Sequence, residues 1–280
     1  MLLAEKILVH FEISEPFVIG DVPFFLLLGV LTGLVSLYFN RATDLLTSLM
    51  DRFNNIWLRG ILGVSVLGVL VFLFPPLYGE GYDAIRLIIS GDSINLLDNS
   101  FFYTFRDNIW FFLGFLLFLI IMKVVATTLT LESGGIGGIF APSAVTGGFA
   151  GFGFARLINE FGITRPLSEA NFTLVGMAGV LGAVLHAPLT AIFLIAEMTN
   201  VYELIVPLML TTTISVVTIK TFDPQSIFTK RLAERGELLT HHKDQAVLTL
   251  LNVRDVIDHD LMTIPPDATL GDLTLSLIHI

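Results

Sequence analysis

Ser133–Gly153 reads SGGIGGIFAPSAVTGGFAGFG, and this stretch decides the fold class. Gly134, Gly135, Gly137 and Gly138 give a backbone that turns sharply and lets a ligand approach closely. Pro142 then sits where a first helical turn begins, a place where its missing N–H costs nothing. A helix starting there leaves the amides of Gly138, Ile139, Phe140 and Ala141 without partners inside the helix. Those donors and the positive helix end make an anion site that needs no Lys or Arg. Gly147 and Gly151 follow at the spacing that lets helices pack closely in lipid. Packing alone is the competing explanation for all of these glycines.

The surroundings favour a membrane setting. Of 280 residues, 54% are hydrophobic and 14% charged, against about 25% charged in an ordinary soluble domain. A water-soluble surface needs more charge than that. This composition excludes a disordered chain, and the absence of Cys excludes a disulfide scaffold and thiolate metal sites. The net charge of −10 argues against nucleic acid as a partner. Uncharged runs fall at Val22–Phe39, Gly60–Gly79, Asn108–Met122, Ser133–Ala155, Ala170–Ala196 and Leu204–Ile219. A spanning helix needs roughly 20 mostly apolar residues. These runs are uneven and several are cut by Gly or Pro, which predicts broken or partly penetrating helices. Met1–Val22 carries acids around a short apolar stretch and does not read as a signal peptide. Arg41–Arg59 has an excess of Arg and Glu80–Asp107 an excess of acids, a weak bias placing the first loop in the cytoplasm.

Two further stretches share the vocabulary of the first. Val175–Ile192 reads VGMAGVLGAVLHAPLTAI and Tyr202–Leu210 reads YELIVPLML. With GGIFAP at Gly137–Pro142, they stand in an order that resembles the chloride channel and chloride/proton exchanger (CLC) family. The resemblance extends to PLYGEGY at Pro76–Tyr82, KVVATTLTLESGG at Lys123–Gly135 and SIFTKRLAERG at Ser226–Gly236. It ends in VRDVI at Val253–Ile257, which looks like the start of a CBS domain.

The resemblance implies an all-α integral membrane fold, the second inverted repeat of a CLC-type channel, with broken and re-entrant helices. The domains it implies are a membrane part over 1–236, a polar connector over 237–251 and an incomplete CBS domain over 252–280. Its anion, chloride or a similar small anion, would rest on the amides of Ile139 and Phe140, flanked by Gly138 and Ala141. The family's Tyr ligand corresponds to Phe228, whose ring donates no hydrogen bond. The GSGIP-type serine and GREGP-type gating glutamate motifs do not occur in these residues. Glu80, in PLYGEGY, belongs to a part of the pattern with no gating role. The chain therefore reads as the C-terminal half of a voltage-gated channel or antiporter in the cell membrane, its C-terminus cytoplasmic. Expected partners are membrane lipid and either a second copy in a homodimer or a chain supplying the N-terminal half. The rival expectation is a non-transporting fragment or assembly partner that docks through Phe172–Val217 onto full-length subunits.

The remaining polar residues are weaker signals. Glu197 and Glu203 flank a short connector, where helix-end roles outweigh a place on the ion path. Lys123, between two apolar runs, snorkels, pairs or pulls on anions from a distance. His186 reads as structural, and His241 and His242 as solvated. Glu132 is the discordant residue, since a carboxylate just before the anion loop repels anions. No nucleophile elbow, Walker A or HExxH motif occurs, so the sequence carries no enzyme, cofactor or metal signature.

Overall fold

The computed structural model describes residues 16–98, 100–163, 165–200, 202–234 and 267–271. By contacts the chain divides into two units, Met1–Arg231 and Leu232–Ile280. The fold described is that of the first. The connector over 237–251 lies outside the described residues, as does the CBS start except for 267–271.

Among the described residues the structure is helical and contains no strand. Helices α1 (Val22–Met50), α2 (Ile56–Leu73), α3 (Tyr82–Ile89) and α4 (Ile109–Glu132) precede the glycine loop. Then come α5 (Phe140–Phe161), α6 (Glu169–Leu185), α7 (Pro188–Thr199), α8 (Ile205–Phe222) and α9 (Ile227–Glu234). Among the described residues, four segments are long and apolar enough to cross a membrane: Ile19–Met50, Ile56–Leu73, Ile109–Glu132 and Tyr202–Lys230. The starts of α2 and α4 follow from local chemistry. Asn55 and Asn108 cap them, the Asn55 side chain accepting from Trp57 N–H and that of Asn108 from Trp110 and Phe111 N–H.

The long uncharged run Ala170–Ala196 is not one helix. Its α6 segment ends at His186, which adopts φ 54°, and Pro188 opens α7. Proline at the first turn of α7 and the left-handed residue before it make the break local and sharp. This matches the expectation of broken helices.

Helix α6 is the centre of the fold, buried along nearly its whole length. Three of its glycines, one turn apart, each meet a different neighbour. A Cβ on Gly176 would lie 2.4 Å from the Gly147 carbonyl of α5. One on Gly179 would lie 2.7 Å from Thr32 Oγ1 of α1, and one on Gly182 would lie 2.4 Å from Thr212 Cγ2 of α8. Small residues thus let three helices close on a fourth, the usual solution where lipid supplies no hydrophobic drive between helices. Hydroxyl groups reinforce the seams. Ser215 Oγ donates to the Gly179 carbonyl at 2.9 Å, Ser36 Oγ to that of Val180 at 3.3 Å, and Thr211 Oγ1 to that of Phe25 at 3.0 Å.

Candidate anion site

Helix α4 ends in a turn at Ser133, and Gly134 takes φ +90°, a conformation that an L side chain rarely adopts. The Gly135 N–H donates back to the Thr130 carbonyl at 2.9 Å, closing the helix end. The chain then passes through Gly137 and Gly138 to Ile139, the N-cap of α5. Helix α5 begins at Phe140, so Pro142 is its third residue rather than its first. The difference is local: Ser143 N–H already bonds to the Ile139 carbonyl at 3.0 Å, which starts the ladder earlier. Ile139 has no side-chain cap on the amides ahead of it. The N–H groups of Phe140 and Ala141 have no acceptor within the helix, and Pro142 has no N–H to share.

Gly137, Gly138, Phe140 and Ala141 line a cavity of about 680 Å³. Space is open at the loop, since the nearest atom to a Cβ on Gly138 would be Phe140 N at 4.0 Å. Ile139 is placed differently: its side chain is buried against Phe39, Val124, Val180, Val184 and Ile227, anchoring the helix start from behind. Phe228, on α9, is 54% exposed and does not line this cavity.

The same cavity is lined by residues that the sequence marked faintly or not at all. Lys123 lines the cavity although only 1% of its surface is exposed. Its Nζ donates to the carbonyls of Leu77 at 3.2 Å and Gly79 at 2.9 Å, so the PLYGEGY segment folds over the ammonium. Thr127 and Thr130 continue the same face of α4, at the i+4 and i+7 positions from Lys123. That spacing was visible in the sequence, but its direction was not. Glu80 and Tyr82 complete the wall. Burial, and secondarily the Glu80 carboxylate, push the Tyr82 phenol above its ordinary value, so it stays a neutral donor. The cavity therefore joins unpaired-helix-end amides with one buried cation, a combination suited to a small anion.

Glu132 is not loose beside the anion loop. Its carboxylate is ion-paired with Arg59 and accepts from Thr47 Oγ1 at 2.9 Å. Glu197 accepts from the Tyr202 hydroxyl, and both it and Glu203 are exposed. His186 caps α6, its Nε2 buried with no hydrogen-bond partner among the described residues. No group of three or more metal-ligating side chains occurs among the described residues.

A helical fold with broken apolar helices packed through glycines belongs to the class of helical membrane proteins, and sequence comparison gives the family. The family described as voltage gated chloride channel matches residues 1–220. The chain belongs to that family and is an integral membrane protein. It is 30% identical over 210 residues to chloride channel protein CLC-e of Arabidopsis thaliana, covering 68% of this chain and 27% of the plant protein. Among solved structures it is similar to a slow cyanobacterial Cl⁻/H⁺ antiporter, with TM-score 0.66 and 26% identity over 84% of this chain. A CLC-type fluoride/proton antiporter shares the fold with TM-score 0.57 at 21% identity over 79% of this chain. The chain spans about half the length of these two structures, 51% and 48%, and less than a third of the plant relative.

Proposed function

We propose that this chain forms part of a path for chloride or a similar small anion across a membrane, as a channel or in exchange for protons. The observation that carries this reading is the cavity that brings the first amides of α5 together with Lys123. Amides aimed from a helix start stabilise an anion without a permanent counter-charge, so the anion binds and still leaves. The buried Lys123, in the lining of the same cavity, raises local anion concentration. Each charge-assisted hydrogen bond to the anion is worth about 1.5–3 kcal/mol. Gly138, Ile139, Phe140 and Ala141 supply the backbone of the cradle. Phe228 stands in the place of the family's tyrosine but lies outside this cavity, so it supplies no hydroxyl to the cradle.

On this reading the chain is the second of two inverted repeats, and the GSGIP-type and GREGP-type motifs come from the other. The site is then assembled where the repeats meet. A cytoplasmic C-terminus leading into a CBS domain, a homodimer and a cell-membrane location accompany the same reading, and no bond-making chemistry is involved. A second reading, a non-transporting assembly partner, would use the broad apolar face of α2, where Ile56, Trp57, Ile61 and Phe72 are 64–79% exposed, as a docking face in place of lipid.

Chloride efflux from liposomes containing the purified native product separates the two. Under the transport reading efflux is robust and Lys123→Met slows it several-fold, more at low than at high ionic strength, because salt screens the lost attraction. Co-purification with a full-length relative and no efflux from this chain would establish the assembly reading instead.

A further inference from the structure

Glu132 closes α4 one residue before the anion loop begins, and three helices meet at its side chain. Arg59, in the first turns of α2, pairs with the Glu132 carboxylate through Nη2 and donates from Nε to the Glu132 backbone carbonyl. The same guanidinium reaches Asp51 Oδ1 of the α1 C-cap at 2.8 Å. Thr47 of α1 donates to the other Glu132 oxygen at 2.9 Å. Arg59 is thus forked across two carboxylates and a helix-end carbonyl, a geometry that a guanidinium supports and an ammonium does not. The pair is largely shielded, with side-chain exposure of 22% for Arg59 and 12% for Glu132. One turn further along α2, a Cβ on Gly63 would overlap Ser133 Oγ at 1.7 Å, so α2 also rests on the first residue of the loop.

We propose that Arg59 is a positioning residue for anion passage, fixing the start of the 133–139 loop and neutralising the Glu132 charge that lies directly behind that loop. This rests on the anion reading above. It also explains why a carboxylate is tolerated at this place. The helix end contributes its own partial negative charge beside the Glu132 carboxylate, and Arg59 answers both at once. Lys123 acts from the cavity lining; Arg59 acts behind the loop.

The test is chloride efflux from liposomes holding the native product, with thermal stability in detergent measured in parallel. Arg59→Gln is expected to slow efflux roughly five- to tenfold, the effect of one uncancelled charge in a poorly screened site. Arg59→Gln with Glu132→Gln is expected to return efflux to within about twofold of the native rate, because the charge that Arg59 answered is gone. A purely structural role predicts the opposite, a double variant as slow as the single one or slower. Should Arg59→Gln fail to fold, Glu132→Gln alone decides: it keeps the acceptor for Arg59 and is expected to raise efflux, whereas a fall overturns the proposal. Native efflux that Arg59→Gln leaves unchanged rejects Arg59 and spares the anion reading. No native efflux at all rejects the anion reading, and this proposal with it.

Discussion

Two sets of glycines stand within twenty residues of each other and do opposite things. Gly147 and Gly151 of α5 are crushed against α6: a Cβ at Gly147 would lie 2.3 Å from the Gly176 carbonyl, and one at Gly151 would lie 2.0 Å from that of Phe172. Gly137 and Gly138 border open space, with no atom nearer than 3.6 Å to either added Cβ. The first pair exists so that two backbones can touch. The second keeps side chains out of the approach to a helix start. Packing, one of the two explanations the sequence offered for this run of glycines, holds at Gly147 and Gly151, while Gly137 and Gly138 are left open, as the proposed anion path requires.

The largest expected effect lies in the packed pair. Gly151→Leu forces a branched side chain against the Phe172 carbonyl, which cannot retreat without separating α5 from α6. A loss of about 3 kcal/mol or more is expected, read as a collapse in folded yield and melting temperature in detergent. Normal yield and melting would show that the two helices have room to part, and the contrast between the two sets would fail. Next comes Gly138→Ala in the open pair. The methyl group meets nothing, so melting should stay within about 1 kcal/mol of the native protein. Chloride efflux should nevertheless fall several-fold, because the cavity wall beside the helix-start amides becomes bulkier. Efflux equal to the native rate would remove Gly138 from the path. The smallest effect is expected at Gly153, inside α5 with nothing within 4 Å of an added Cβ. Gly153→Ala should raise stability by up to about 1 kcal/mol through helix propensity, with unchanged efflux. Destabilisation there would mean that a neighbouring surface covers this position.

Much of this was legible before the fold. The glycine-then-proline order at 134–142 announced a helix start facing a turn, and α5 does begin within two residues of the expected place. Glycine spacing announced close packing at 147 and 151, and the structure names the partner, α6. Helix α2 was less legible. Its apolar content resembles that of α6, yet Gly63 is its one buried residue while α6 is buried almost throughout. Composition reports that a helix avoids water, and lipid, protein and cavity walls all satisfy that demand equally well.

Glu132 makes the same point for charge. In one dimension it is a repulsive group at the mouth of an anion loop, because its compensating cation lies 73 residues upstream at Arg59. Lys123 is the converse, a lone cation in an apolar run until the carbonyls of Leu77 and Gly79 fold over it. By itself the sequence determined the membrane class, the helix start near Pro142 and the helix breaks, since these depend on local conformational preference and apolar length, and its motifs gave the family. Only the tertiary structure decided which glycines touch, which wall Lys123 faces and what holds Glu132. Those are matters of distance between residues far apart in the chain, and hydropathy and turn chemistry do not encode them.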